Sequence, residues 1–310
     1  MDKKTIEIPL ITIDDLLHNE MVNYVLHVAT ETLQKEKGKA KGKYEIRVYL
    51  IISKILSCYE RVNQAYNFIK KRPTIKELDN NEEMTVIDYY NYHYDVVIHK
   101  LSTIRDLSFK LINEVFELKL KDRDCDWKHI NKDERITVPG VLCIQELYYY
   151  LTIDIESNRN ESTHNGPFEI NIFDHIDGVV KLSQFKRLEK IPKTILDCDP
   201  MAKGTFNDLL LRMKKKELLD LINKEKSISL FCIHVLTCSM SNTFKSNLSE
   251  KIKEEYFNTI LLANQRINAY ERKNNKIELL IPYLAKIEDW TISLKEYYEE
   301  KNKHVKKSRQ

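Results

Sequence analysis

The chain is poor in the residues that turn a backbone. Six glycines and seven prolines make up about 4% of its 310 residues, against an average of ~12% for the two together. β-sandwiches, barrels and dinucleotide-binding folds need many tight turns, so this scarcity argues against all of them and for long helices with few connections. Charge of one sign is also missing. Fifty Lys and Arg against 47 Asp and Glu leave a formal charge of +3, too little for binding nucleic acid through a global field. Long uninterrupted apolar runs are absent too. Tyr49–Ile52 and Leu230–Leu236 fall well short of the ~18 residues a spanning helix needs, which predicts no membrane span. Glu7, Asp14 and Asp15 break any apolar leader at the amino terminus. The six cysteines are scattered and form no pair of CxxC motifs. Without a secretory signal they read as reduced thiols of a cytoplasmic protein.

What is present is helical spacing. Leu16, Leu17, Val22, Val25 and Val28 recur near a helical period over 13–35, with Asp14 expected as the N-cap. A second helix is expected over 44–70, carrying Val48, Ile51, Ile52, Ile55, Tyr59, Val62 and Tyr66 on one face and stopped by Pro73. The polar stretch 74–83 reads as a linker. The longest pattern covers 86–120, where Val97, Leu101, Ile104, Leu107, Leu111, Val115 and Leu118 form a core stripe. After the charged connector 121–135, Val138-Pro139-Gly140 leads into a helix with Ile144, Leu147, Tyr148, Leu151 and Ile155 on its apolar face. Gly166 and Pro167 should stop that helix. Residues 168–174 read as a short strand or extended loop. Further helices are expected over 181–195, 206–223, 227–241, 248–273 and 277–301. The expected architecture is an all-α helical bundle, with segments at 1–80, 81–225 and 226–310.

Chemistry concentrates in one polar stretch, Arg159-Asn160-Glu161-Ser162-Thr163-His164-Asn165-Gly166. An imidazole, ordinarily neutral near physiological pH, takes or returns a proton, and an always-charged guanidinium binds developing phosphate charge. Asn160 lies four residues before His164, so on a continuous helix the two positions are roughly 40° apart, and Asn160 is suited to orient the ring. Arg159 lies five residues before His164, roughly 140° away. Two arrangements resolve that separation: the helix unwinds before Asn165, or two chains meet so that both motifs line one cleft. A plainer alternative also fits. Arg159 continues the stripe from Ile155 as a half-buried helix-end arginine, and His164 is a partner of the helix dipole.

The motif resembles that of the HEPN superfamily (higher eukaryotes and prokaryotes nucleotide-binding): an Arg, four to six residues and then a His, the first of the intervening residues often polar. The matching positions are Arg159, Asn160 and His164, and the resemblance extends over about 86–223, where a long amphipathic helix precedes the helix that carries the motif. Arg123-Asp124-Cys-Asp-Trp-Lys-His129 is a second, looser match and supplies Arg123 and His129 as a fallback pair.

The resemblance implies an endoribonuclease that needs no metal or other cofactor and lets a 2′-hydroxyl attack the adjacent phosphate. It implies RNA as partner, a homodimer with facing motifs, no membrane partner, and a toxin, stress or phage-defence role with an antitoxin or other regulatory protein. It equally allows an inactive HEPN-like scaffold that binds a nucleotide or protein. A helical interaction protein with an accidental motif is the third possibility.

Other features carry less. Cys232, His234 and Cys238 do not share a helix face, which suits zinc poorly and suits a helix interior. Asp122, Asp124 and Asp126 lack the Gly and Glu of a calcium loop. Tyr89, Tyr90, Tyr92 and Tyr94, and Tyr148–Tyr150, suit base stacking or, more commonly, core packing. The basic runs 35–43, 70–72, 214–216 and 303–309 read as solvated helix ends and a frayed tail, with 35–43 and 303–309 able to supply phosphate contacts.

Overall fold

The computed structural model describes residues 6, 8–36, 43–71, 86–165, 172, 204–248, 261, 264–270, 283–284 and 286–307, with backbone alone at 36, 139, 161, 164, 165, 204–210 and 301–307. Among the described residues the chain is all-α, with no strand. The expected stop at Pro73, the linker 74–83, the stop at Gly166-Pro167, the strand or loop at 168–174 and the helix at 181–195 lie outside the described residues, apart from Ile172.

The helices are α1 (Ile13–Leu17), α2 (Glu20–Glu36), α3 (Tyr44–Lys70), α4 (Val86–Val115), α5 (Trp127–Ile130), α6 (Pro139–Asn165), α7 (Gly204–Asn247) and α8 (Ile287–Lys307). One turn of 3-10 helix, Asp122–Asp124, precedes α5. Residues 264–270, within the stretch expected as helix over 248–273, are also helical.

The N-cap differs from the expectation. Thr12, not Asp14, caps α1. Its hydroxyl accepts from the Asp15 N–H, and the Asp15 carboxylate returns the bond to the Thr12 N–H at 2.7 Å. The helix expected over 13–35 breaks at His18–Asn19. There the Asn19 side-chain oxygen accepts from the Val22 N–H at 3.3 Å and restarts the chain as α2. α4 stops at Val115 rather than 120. Leu118 N–H bonds back to the Asn113 carbonyl, and the Asn113 side-chain oxygen accepts from the Leu120 N–H at 2.9 Å. Glu117 and Lys119 take positive φ (50° and 57°), which ends the helix without a glycine. The helices expected over 206–223 and 227–241 are one helix, α7. Lys224-Glu225-Lys226, between its two apolar stretches, is polar but contains no helix breaker.

The chain divides into two compact units. The first comprises Met1–Cys58, Thr103–Ile153 and Ser227–Gln310. Its centre is the second half of α7, where Ile228 through Thr237 are buried without interruption, as are Met240 and Phe244. A helix apolar all round must be enclosed by neighbours. Asn19, at the start of α2, donates to the His234 carbonyl and to Cys238 Sγ. Glu20 accepts from Ser241 Oγ at 2.6 Å and from Lys245. Tyr44 of α3 stacks on Phe244 at 5.6 Å between ring centroids. Asn247 donates to the Val115 carbonyl at the end of α4 (2.8 Å), and Tyr148 of α6 shares a 2.7 Å hydrogen bond with Ser229.

Leu211–Asn247 is long and apolar enough to cross a membrane by length and composition, and 72% of its most apolar window is buried inside the protein. The sequence reading missed this stretch because it counted only uninterrupted apolar runs. Burial in the bundle accounts for the apolarity.

The second unit comprises Tyr59–Ser102 and Asp154–Lys226. Buried Val62, Ala65 and Ile69 of α3, Tyr90, Tyr94, Val97, Ile98 and Leu101 of α4, Ile155 of α6, and Leu211, Leu218 and Ile222 of α7 form its apolar faces. Polar bonds join its helices. Tyr94 donates to Glu225 at 3.3 Å, Asn223 donates to Tyr66 at 3.2 Å, and Lys226 donates to Asn63 at 3.1 Å. The stripes read from the sequence on α4 and α6 are all buried, and those of α2 and α3 are buried except for half-buried Leu17, Ile51 and Tyr66.

Phe231→Ala should cost about 3–5 kcal/mol in urea unfolding, whereas Ile292→Ala, at a side chain 50% exposed, should stay within about 0.5 kcal/mol. Similar losses at both sites would remove α7 from the centre of the first unit.

Burial pushes the Glu20 carboxyl up, but the hydrogen bonds from Lys245 and Ser241 and the lysine charge outweigh it and hold the group below its ordinary value. A carboxyl shifted down stabilises the folded state fully above its unfolded pKa, near about 4.3, and loses that contribution as pH falls through the lower folded value. The gap in melting temperature between the native chain and Lys245→Met should therefore be constant above about pH 5 and should close below it. A gap unchanged on acidification would mean that this ion pair is not what the substitution removes.

Candidate functional site

α6 changes character along its length. Up to Ile155 it is a core helix, with Val141, Ile144, Leu147, Tyr148 and Leu151 buried. Beyond that it is polar, with Ser157, Asn160 and Thr163 exposed and Asn158 and Arg159 half-buried. The polar part stays helical to Asn165, so unwinding before Asn165 does not occur. Asn, Ser and Thr compete for backbone bonds and weaken a helix interior. Here Thr163 Oγ1 donates back to the Arg159 carbonyl at 2.8 Å, within the helix.

The Arg159 guanidinium reaches across to α4, where Nη1 donates to Ser102 Oγ at 2.9 Å. One turn further along α6, Ser162 Oγ donates to Asp95 Oδ1 at 2.5 Å. Asp95 Oδ1 also lies 3.6 Å from His99 Nε2, with the His99 side chain 38% exposed. Positions 95, 99 and 102 fall within roughly 60° around the α4 axis, so Asp95, His99 and Ser102 form a polar stripe facing the motif segment of α6. Buried Val97, Ile98, Leu101 and Ile104 occupy other faces of the same helix. The Ser102 hydroxyl is itself in a buried residue and fixes one nitrogen of the guanidinium fork. A guanidinium held on a half-exposed helix face is suited to a phosphate, which takes two parallel N–H bonds from such a fork.

The structure thus bonds Arg159 to Ser102 and Ser162 to Asp95, with His99 beside Asp95 on the same face of α4. Asn160 is exposed on the same helix, one turn before position 164. His164 belongs to α6, and its side chain lies outside the described residues. The fallback residues lie in the first unit. Arg123, on the 3-10 turn, is 80% exposed beside Asp124 (3.6 Å). His129 Nδ1 lies 2.7 Å from Asp126 Oδ1, and the same carboxylate accepts the His129 N–H. Asp126 thus serves as the N-cap of α5; burial pushes its carboxyl up, but the bonds from His129 together outweigh it and hold the group below its ordinary value.

Sequence reasoning missed the α4 stripe. The signal was there: Asp95, His99 and Ser102 recur at i, i+4 and i+7 beside the apolar stripe, the pattern of a second helix face.

Among the described residues, no group of three or more His, Cys, Asp and Glu side chains is placed to hold a metal ion. Cys232 and His234 are buried and Cys238 is exposed; burial pushes the Cys232 thiol up. Comparison with protein-family models, curated proteins and solved structures returned no match in any of the three.

Removing the Ser102 hydroxyl should loosen Arg159. Ser102→Ala should lower stability by about 1–3 kcal/mol, the range for losing a buried partner of a charged group, whereas Arg123→Ala should change it by less than about 0.5 kcal/mol. Equal and negligible effects in urea titrations would mean that the Arg159–Ser102 bond contributes nothing to the fold.

Proposed function

We propose that the chain is a metal-independent endoribonuclease of HEPN type, with Arg159, Asn160 and His164 as its working residues. The observation that carries the reading is the placement of Arg159: a guanidinium tied to a neighbouring helix by Ser102, on a helix that continues through position 164. The second support is the motif itself, whose residue types match the needs of phosphodiester cleavage.

In the proposed reaction the imidazole at position 164 takes the proton from the 2′-hydroxyl. The 2′-oxygen bonds to the adjacent phosphorus, the bond from phosphorus to the 5′-oxygen breaks, and that oxygen leaves with a proton returned from an imidazolium. Arg159 holds the extra negative charge on the phosphoryl oxygens in the transition state. The products carry a 2′,3′-cyclic phosphate and a 5′-hydroxyl. DNA, which lacks the 2′-hydroxyl, is not a substrate.

A continuous helix separates positions 159 and 164 by roughly 140°, so the reading calls for a homodimer in which each copy completes the other's cleft. The biological setting that goes with it is a cytoplasmic toxin or defence effector held in check by an antitoxin or other regulator. A second reading, an inactive HEPN-like scaffold, is favoured by the same Arg159–Ser102 bond taken as helix packing alone.

Cleavage of a labelled single-stranded RNA in excess chelator separates the two. Arg159→Ala and His164→Ala should each abolish cutting while far-ultraviolet circular dichroism stays unchanged. Arg123→Ala and His129→Ala should cut normally, and the products should end in cyclic phosphate. Undiminished cutting by both motif variants, or no cutting by the native chain, discards the nuclease reading.

A further inference from the structure

Four aromatic side chains gather on the surface of the second unit, apart from its core tyrosines. Phe68, near the end of α3, stacks on His93 of α4 with ring centroids 4.8 Å apart and planes within 12°. Tyr89 and Tyr92 meet the same imidazole edge-on, at 4.4 and 5.3 Å. Yet the cluster is not core. Phe68 is 49% exposed and Tyr92 is 61% exposed, while Tyr90 and Tyr94, on the opposite side of α4, are fully buried. The Phe68–His93 stack joins α3 to α4 on one side, and Phe68 and Tyr92 still present about half or more of their surface to solvent on the other.

The surroundings say what such a surface suits. Lys70 and Lys71, two and three residues after Phe68, are exposed. Lys215 of α7 extends its ammonium to the Lys70 carbonyl at 2.8 Å, which adds a third cation at the end of α3. Burial lowers the His93 pKa, so the ring at the centre of the cluster is a neutral aromatic at neutral pH. Stacking rings bordered by ammonium groups match the two faces of a single-stranded nucleic acid, its bases and its phosphates. An apolar protein partner has no use for the lysines, and a duplex hides its base faces.

The cluster is also aligned with the candidate site. Tyr92 and His99 lie within roughly 20° of each other around the α4 axis, and Ser102, the anchor of Arg159, is about 15 Å along the same helix from Tyr92. A short single strand that stacks at Tyr92 and follows α4 reaches Arg159.

We propose that Phe68, Tyr89, Tyr92 and His93, bordered by Lys70, Lys71 and Lys215, form a base-stacking platform that holds single-stranded RNA next to Arg159. The inference rests on the reading of Arg159 as a phosphate site, and its test is separable from cleavage. The probe is a fluorescent 2′-O-methyl oligoadenylate of about ten nucleotides, within the range of single-strand site sizes. It has no free 2′-hydroxyl and is not cut.

With the full chain and anisotropy as readout, Phe68→Ala and Tyr92→Ala should each weaken binding about fivefold or more, the low end of base–aromatic stacking. Tyr92→Trp should restore it, which a merely structural role does not explain. Lys71→Ala should reduce the slope of log affinity against log salt by about one. The matching duplex should bind more weakly than the single strand.

The platform is overturned if both alanine variants bind like the native chain, if the native chain does not bind the probe, if the duplex binds as well as the single strand, or if an acidic peptide competes as effectively as the oligonucleotide. Loss of probe binding in the alanine variants of a chain that cuts no RNA leaves the platform standing and removes the nuclease. Cutting with unaltered probe binding does the reverse.

Discussion

The fold depends on one helix that cannot face water. From Ile228 to Thr237 α7 buries every side chain, and it continues to bury Met240, Ser241 and Phe244. A surface helix satisfies its environment with one apolar stripe, whereas a helix buried all round needs neighbours on every side. α2, α3, α4 and α6 each supply one, and each contact is marked by a specific bond: Asn19 to the His234 carbonyl, Tyr44 on Phe244, Asn247 to the Val115 carbonyl, and Tyr148 with Ser229. Burying roughly a dozen side chains at about 1.5–3 kcal/mol for each large apolar group outweighs any local helix preference in this region. Polar members of the buried stretch bond both across and within the helix: Ser229 pairs with Tyr148 of α6 and Ser241 with Glu20 of α2. Thr237 donates its hydroxyl to the Ile233 and His234 carbonyls one turn back, a bond available to Ser and Thr inside a helix.

That constraint divides labour along α6. The half of α6 up to Ile153 belongs to the first unit and is anchored there by apolar side chains and by Tyr148. From Asp154 onward the helix belongs to the second unit, where Ile155 is buried and polar bonds run from Arg159 to Ser102 and from Ser162 to Asp95. A site built in this way stands on a rigid element yet contributes little to the hydrophobic core. Its residues are therefore free to be chosen for chemistry. The arginine is the clearest case: a buried hydroxyl on the neighbouring helix holds one end of its planar fork.

Periodicity made most of the fold legible before any coordinates. The stripes on α4 and α6 are local patterns set by helical geometry, and they survive in three dimensions because burial enforces them. Boundaries were legible only where a backbone rule decided them. Pro139 at the start of α6 obeyed one. The end of α4 did not, because it depends on Asn113 closing the exit loop and on two non-glycine residues with positive φ, and neither leaves a compositional mark. The break expected near 224–226 in α7 falls on a polar triplet, Lys224-Glu225-Lys226, between two apolar stretches. Three charged residues in a row are compatible with a helix when, as for Lys226, the amine bonds across to another helix. The site was half legible. Arg159 and Asn160 stood out as a local motif, whereas Asp95, His99 and Ser102 are about sixty residues away in sequence, and only packing brings them to the motif. The exposed aromatics were within reach. Tyr90 and Tyr94 keep the i, i+4 spacing that leads into Val97, Ile98 and Leu101, which leaves Tyr92 and His93 on other faces.

The unbroken course of α6 carries the strongest consequence for how the motif works. Had the helix unwound before Asn165, one chain alone could have folded position 164 back toward Arg159. It stays helical, so the two positions are fixed at roughly 140° around one axis, while Asn160 and position 164 share a face at roughly 40°. In the nuclease reading, a phosphate on the Arg159 guanidinium would lie on the side of α6 that bonds to Ser102 of α4, away from position 164. On that reading, a scissile phosphate between an arginine and the motif histidine calls for a second copy to supply one of them. Helix continuity is a local property of backbone bonding, and here it turns a question about catalysis into a question about assembly. The nuclease reading and dimerisation stand or fall together, whereas single-strand binding along α4 needs only one chain.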